Sequence, residues 1–220
     1  MDGMNNDLSK NHHEYRGDQY NGLRIMGNVY PMISECLEAL HDVVSKSMTD
    51  YSRVFAFRFD LRFPDHMKAD SVESCNSVAS RFVESFKAKI RHNRQSLAKN
   101  GMLYHDTKVR FLWVREVGDC ARVHYHFVVL LNGHAFNCLG RYQATEGNIS
   151  SRICEAWASA LGEAVERAKP LVHFPNSPAY CLRRSDPESV SEFFYRASYL
   201  CKVQTKQYGH GHHGYGASRK

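Results

Sequence analysis

His124 and His126 stand one residue apart in the run Arg122 to Leu131, whose β-branched and aromatic content is that of a strand. Side chains alternate along a strand, so both imidazoles project to one face while Val123, Tyr125, Phe127 and Val129 take the other. Two imidazoles so placed can hold one divalent cation. With 13 histidines in 220 residues, a His-x-His triple is expected about 0.8 times by chance, so the pattern needs support elsewhere. Glu116 closes the preceding strand candidate, Lys108 to Val117, and its carboxylate faces the histidines only if the hairpin register has an even residue sum. A loop of three or five residues, or a bulge, delivers that register; a two-residue loop does not. His124, His126 and Glu116 would form a mixed nitrogen and oxygen set suited to Mg²⁺ or Mn²⁺, with positions left for phosphate oxygens and water.

A second group lies near the C-terminus. Tyr195, Tyr199 and Lys202 fall at i, i+4 and i+7, one stripe of a helix whose packing side is Val190, Phe193, Ala197 and Leu200. A tyrosine beside a metal-bound phosphodiester can attack phosphorus and remain attached as a phosphotyrosine, dividing one hard displacement into two. The metal would withdraw charge from the non-bridging oxygens and orient the bond. Lys202 would act near the phosphate as charge partner or proton donor to the leaving oxygen.

The elements that position these groups follow from periodicity. Residues 1 to 28 are polar and aperiodic, the composition of a flexible lead-in. Ile33, Leu37, Leu40, Val44 and Met48 mark one face of a helix. Tyr51 to Phe63 then alternates strictly, with Phe55, Phe57, Phe59 and Leu61 on one side and Ala56, Arg58, Asp60 and Arg62 on the other. Asp70 and Glu73 resemble a capping box before a long helix that carries Val78, Phe82, Phe86 and Ile90 and stops at Gly101. After the hairpin, Asn148 can cap a helix bearing Ile153, Trp157, Leu161 and Val165 up to Lys169 and Pro170. Short strand candidates at Leu171 to Phe174 and Tyr180 to Leu182 precede the tyrosine helix, which starts at Ser185 to Glu188 and is expected to reach about Gln204.

The order β-α-β-β-α-β plus a final helix predicts an α+β fold of the split βαβ, ferredoxin-like kind: an antiparallel sheet with helices packed on it. One domain is expected over residues 29–206, with a Gly- and His-rich tail from 207 to 220.

Composition sets bounds. A hydrophobic content of 43% suits a packed core, and the net charge of +6 permits a polyanionic partner without demanding one. Seven scattered cysteines with no Cys-x-x-Cys spacing argue against both a disulfide framework and a zinc knuckle. No run approaches the roughly 18 apolar residues of a membrane span, and the N-terminus has no basic-then-apolar signal region, so a cytoplasmic protein without membrane contact is expected.

The strand His-x-His, the acidic residue on the strand before it and the later Tyr-x-x-x-Tyr-x-x-Lys (Tyr195, Tyr199, Lys202) together resemble the HUH endonucleases, the rolling-circle replication initiators of phages and plasmids. The two-tyrosine phage initiators are most similar. Arg58 to Pro64, Trp113 to Gly118 and Ala217 to Arg219 further resemble the inovirus replication-protein-like prophage family, the YagK/YfjJ-type domain, over about residues 30 to 219. The resemblance implies His124, His126 and Glu116 as ligands of Mg²⁺ or Mn²⁺, Tyr199 or Tyr195 as nucleophile and Lys202 as assisting base. It implies single-stranded DNA at a replication origin as partner, with the host replication machinery downstream. Arg58, Arg62 and Lys206 are candidate DNA contacts. Where that superfamily carries small hydroxylated residues on its first strand, this chain has Arg58, Asp60 and Arg62; Asp60 is a further metal ligand or the partner of one of these arginines.

The leading expectation is metal-dependent nicking and joining of single-stranded DNA through a 5′-phosphotyrosine. The alternative is a non-catalytic single-stranded nucleic-acid binder that stacks bases on Phe55, Phe57, Phe59, Tyr125 and Phe127; a hydrolase needing no tyrosine is a third possibility. The open face of the sheet discriminates the first two.

Overall fold

The structure is a computed structural model that describes residues 12–67, 76–117, 122–142, 147–204 and 213–219. Helix α1 (Ser34–Asp50) leads into strand β1 (Arg53–Arg62), and helix α2 (Ser77–Lys99) crosses to the hairpin β2 (Arg110–Val117) and β3 (Val123–Asn132). Helix α3 (Ile149–Leu161), short strands β4 (Val172–His173) and β5 (Ala179–Arg183), helix α4 (Pro187–Ser198) and strand β6 (Tyr215–Ala217) complete the order. The sheet runs β6-β2-β3-β1, and β1 pairs on its far side with both β4 and β5, every pairing antiparallel. Apart from β6, this is the split βαβ order expected from periodicity.

Strict alternation in β1 builds two cores. Phe55, Phe57, Phe59 and Leu61 join Tyr125, Phe127 and Trp113 beneath α2 and α3, where Trp157 is fully buried and donates its indole N–H to the Arg62 carbonyl at 2.9 Å. The aromatics available for base stacking are therefore spent in packing. Val54 and Ala56 lie on the other face with Leu112, Val114, Val128 and Leu130, covered by α1 and by Phe193, Phe194 and Ala197 of α4. The histidines, Glu116 and Asp60 continue this second face past the end of its apolar cover.

Several expectations change. Residues 14–28 are not a bare lead-in: two-residue strands Glu14–Tyr15, Gln19–Tyr20 and Leu23–Arg24 and a 3₁₀ turn Met26–Asn28 run over α1 and α4, with Ile25 buried. Helix α3 stops at Gly162, which takes the left-handed conformation (φ 74°) that glycine accepts without steric cost, so Val165 belongs to a separate turn, Val165–Ala168. Its start agrees: Asn148 and Ser151 form a reciprocal capping box. The tyrosine helix ends at Ser198 rather than near Gln204. The N-terminal segment claims the chain there, since the Met26 amide donates to Ser198 Oγ at 3.0 Å, Lys202 bridges to Met32 and the Val203 amide donates to the Pro31 carbonyl. Strand β6 shows that the tail also pairs with the sheet. The Asp70 and Glu73 capping pair lies outside the described residues, as do Lys206, His210 and His212. Among the described residues Cys36, Cys138, Cys154, Cys181 and Cys201 are free thiols.

Candidate metal centre

The last pair of the β2–β3 ladder is Val117 with Val123, so the connection is five residues long and the register is the even one. Two cross-strand rungs result on one face. Glu116 lies opposite His124, which lies opposite Arg62; Val114 lies opposite His126, which lies opposite Asp60, itself opposite His173. Directly opposed residues share a face, so a carboxylate and two imidazoles converge. One ligand atom from each of Glu116, His124 and His126 lies within 4.8 Å of the others. Nε2 of His126 is 3.4 Å from Oε2 of Glu116, and the two rings are 4.7 Å apart and nearly perpendicular at 84°. Two nitrogens and one oxygen with room for further ligands fit Mn²⁺ or Mg²⁺, Mn²⁺ being the better served by imidazole.

Asp60 is neither a fourth member of that set nor an arginine's ion-pair partner. Its Oδ1 bonds Nδ1 of His126 at 2.6 Å and its Oδ2 bonds Nδ1 of His173 at 3.2 Å. A carboxylate on Nδ1 fixes the imidazole so that Nε2 faces the cation, as outer carboxylates do in many metal sites. Burial alone would raise the Asp60 carboxyl, but the bonds and charges of His126 and His173 hold it below the usual range. His126 is raised: burial opposes its protonation, yet the bonds to Asp60 and Glu116 outweigh that. His124 is lowered by burial and then by His126.

Two outcomes follow. Asp60→Asn is expected to weaken Mn²⁺ binding by about 10- to 100-fold in calorimetric titration while far-UV dichroism stays unchanged. Because a cation binds only neutral imidazole, Mn²⁺ affinity should fall as pH drops below the raised His126 value and level off above it, with proton release on binding confined to that window. Titration in buffers of different ionisation enthalpy reads that release; affinity independent of pH would contradict it.

Lys202 closes the other side. Only 5% exposed, its ammonium lies 3.4 Å from Oε2 of Glu116 and 3.7 Å from the centre of the Tyr199 ring, which also packs edge-on against Tyr30. One ammonium thus separates the Tyr199 ring from the ligand set. Paired with Glu116, it stands as a charge partner beside the ligand set. Tyr195, one turn earlier, has the Arg24 guanidinium over its ring at 5.2 Å. Arg58 is partly buried and donates to the Arg196 carbonyl at 3.2 Å, a cation on the C-terminal end of α4. Burial lowers its guanidinium, and Asp60, Tyr180, Arg196 and Tyr199 lie near enough to act on it. Arg62 is exposed. With Arg122, His124 and His126 it lines an open cleft of about 540 Å³ beside the candidate ligands, and Arg122 pairs with Asp65 there. His173 and the N-terminal segment were missed as parts of the site; only strand pairing and tertiary contact bring them in.

Fold and side chains together define an α+β domain whose antiparallel sheet presents two histidines and a glutamate beside the end of a tyrosine-bearing helix. The chain belongs to the YagK/YfjJ C-terminal domain family, whose model matches residues 15–218. It is 29% identical over 194 residues to the uncharacterised protein YfjJ of Escherichia coli K12, covering 83% of this chain and 92% of that protein. To the uncharacterised protein YagK of the same strain it is 29% identical over 177 residues, covering 77% and 85%. No solved structure matches it. Among the described residues no helix is long and apolar enough to cross a membrane.

Proposed function

We propose that this domain nicks and rejoins single-stranded DNA in the manner of an HUH endonuclease, with Tyr199 as nucleophile, and that it starts rolling-circle replication of a phage or prophage element. The observation that carries the reading is the convergence of Glu116, His124 and His126 with the Lys202 ammonium stacked between them and Tyr199. A bound divalent cation would neutralise the scissile phosphate and favour in-line attack. The Tyr199 phenol oxygen forms the new bond to phosphorus, the bond from phosphorus to the 3′ oxygen breaks, and the phenolic proton leaves to solvent while the 3′ oxygen is protonated. The products are a 5′-phosphotyrosine and a free 3′-hydroxyl that a host polymerase can extend. Attack by a later 3′-hydroxyl on the phosphotyrosine reverses the chemistry and joins ends without an outside energy source; Tyr195 is the candidate acceptor for a second transfer. Arg62 and Arg122 in the adjoining cleft supply charge for the strand.

Labelled single-stranded DNA from the protein's own element, incubated with Mn²⁺ or chelator and resolved by denaturing electrophoresis, tests the reading. A slow-migrating covalent adduct that needs Mn²⁺ is expected. Cleavage without an adduct would replace it with hydrolysis, and binding with neither across several origin fragments would leave a nucleic-acid binder.

A further inference from the structure

On the other face of the sheet, at the opposite end of β2 from Glu116, the C-terminal half of α2 and the extended segment after it form a groove of about 470 Å³. Six strand residues separate the two ends, about 20 Å. The second wall is firmly held. Thr107 Oγ1 accepts from the Asn132 amide at 2.8 Å, the Asp106 carbonyl accepts from Asn132 Nδ2 at 2.8 Å, and the Lys108 amide donates to the Tyr51 hydroxyl at 2.9 Å.

Lys87, Arg91, Arg94 and Lys108 line this groove with one carboxylate, Asp106, which already accepts from the Thr107 amide. Lys87 and Lys108 are shared with Glu84 and Asp50. Arg91 and Arg94 form no ion pair among the described residues. The Arg94 guanidinium is fixed over the Phe136 ring at 4.2 Å, with Nη1 on the Ala135 carbonyl. Burial and the charge of Arg152 push that guanidinium below the usual arginine range, and Asp106 acts the other way. Tyr104, 44% exposed, lines the groove, and the two residues before it in the chain, Met102 at 55% and Leu103 at 95%, are exposed apolar side chains. Ordered cations alone suit any polyanion. Cations next to an exposed aromatic and its apolar neighbours suit one whose bases are unpaired, because a duplex hides its base faces.

We propose that this groove is a second attachment site for single-stranded nucleic acid, with phosphates against Lys87, Arg91 and Arg94 and bases against Tyr104 and Leu103. It does not depend on the nicking reading, and its test keeps the two apart.

The test uses the full chain carrying His124→Ala and His126→Ala, in chelator, so that the metal centre is silent. Binding of fluorescent oligothymidine is followed against salt, with a duplex of equal length as comparison and a 5-iodouracil-substituted strand for photo-cross-linking. Lys87→Ala/Arg91→Ala keeps good helix formers on α2 and should lower the slope of log K against log salt by about 1.4, two phosphate contacts of a single strand. Tyr104→Ala should weaken binding about tenfold, and the cross-link should map to residues 102–104. Variants within twofold of the parent with cross-links only elsewhere would overturn the proposal. So would a duplex held as tightly as the single strand with Tyr104→Ala silent, which describes a general polyanion surface.

Discussion

Changing His124 and His126 together to alanine is expected to abolish Mn²⁺ binding and to lower the rate of adduct formation by about a thousandfold or more. Removing both nitrogens leaves Glu116 alone, and one carboxylate facing an ammonium does not hold a divalent ion. Metal-ion stabilisation of a transferring phosphoryl group is worth several kcal/mol, and each 1.36 kcal/mol is tenfold in rate. The fold should survive, because both imidazoles are only partly buried and lie beyond the apolar cover of their sheet face; Asp60 keeps His173. Titration calorimetry, adduct yield and thermal unfolding on the same preparation separate the effects. A double variant that still binds Mn²⁺ with the parent affinity would remove His124 and His126 from the centre.

The second large effect is expected at the proposed nucleophile. Tyr199→Phe keeps the ring against Tyr30 and beneath the Lys202 ammonium but has no oxygen to attack phosphorus, so adduct formation should vanish while Mn²⁺ affinity changes by less than about twofold. Tyr195→Phe should leave the first cleavage intact and affect only a second transfer. The contrast follows from position: Tyr199 shares Lys202 with Glu116, whereas the Tyr195 ring is covered by Arg24 from the N-terminal segment. If Tyr195→Phe abolishes the adduct and Tyr199→Phe does not, the two assignments are reversed.

How much of this was legible varies with how local each cause is. The four alternating apolar positions of β1 and the β-branched hairpin strands carry their own period, so strands, helices and sheet order follow from the chain read in sequence. The common face of His124 and His126 follows from strand alternation alone. Glu116 was different, since two hairpin registers fit the same residues and only the five-residue connection decides between them. Asp60 was placed on the correct face but read as a further metal ligand or the partner of an arginine, because same-strand neighbours are visible in a sequence and cross-strand rungs with His126 and His173 are not. Lys202 reaches Glu116 by a route periodicity does not describe: the helix ends at Ser198, a 3₁₀ turn over Tyr199–Cys201 follows, and Lys202 bridges to Met32. That departure is set by residues 26 to 33, far away in sequence and too short and aperiodic to register as structure. The stop of α3 at Gly162 had a local signal, the glycine itself, which the apolar spacing to Val165 outweighed.

The most direct measurement is the site of covalent attachment. Protein reacted with single-stranded DNA and Mn²⁺ is digested with nuclease and trypsin, and the nucleotide-bearing peptide is sequenced by mass spectrometry. The phosphodiester is expected on the Tyr199 oxygen, absent in chelator and absent in the His124→Ala/His126→Ala variant. A nucleotide attached to a residue away from the end of α4, or attachment to Tyr199 that is indifferent to metal and histidines, would contradict a metal-assisted tyrosine transfer at this site.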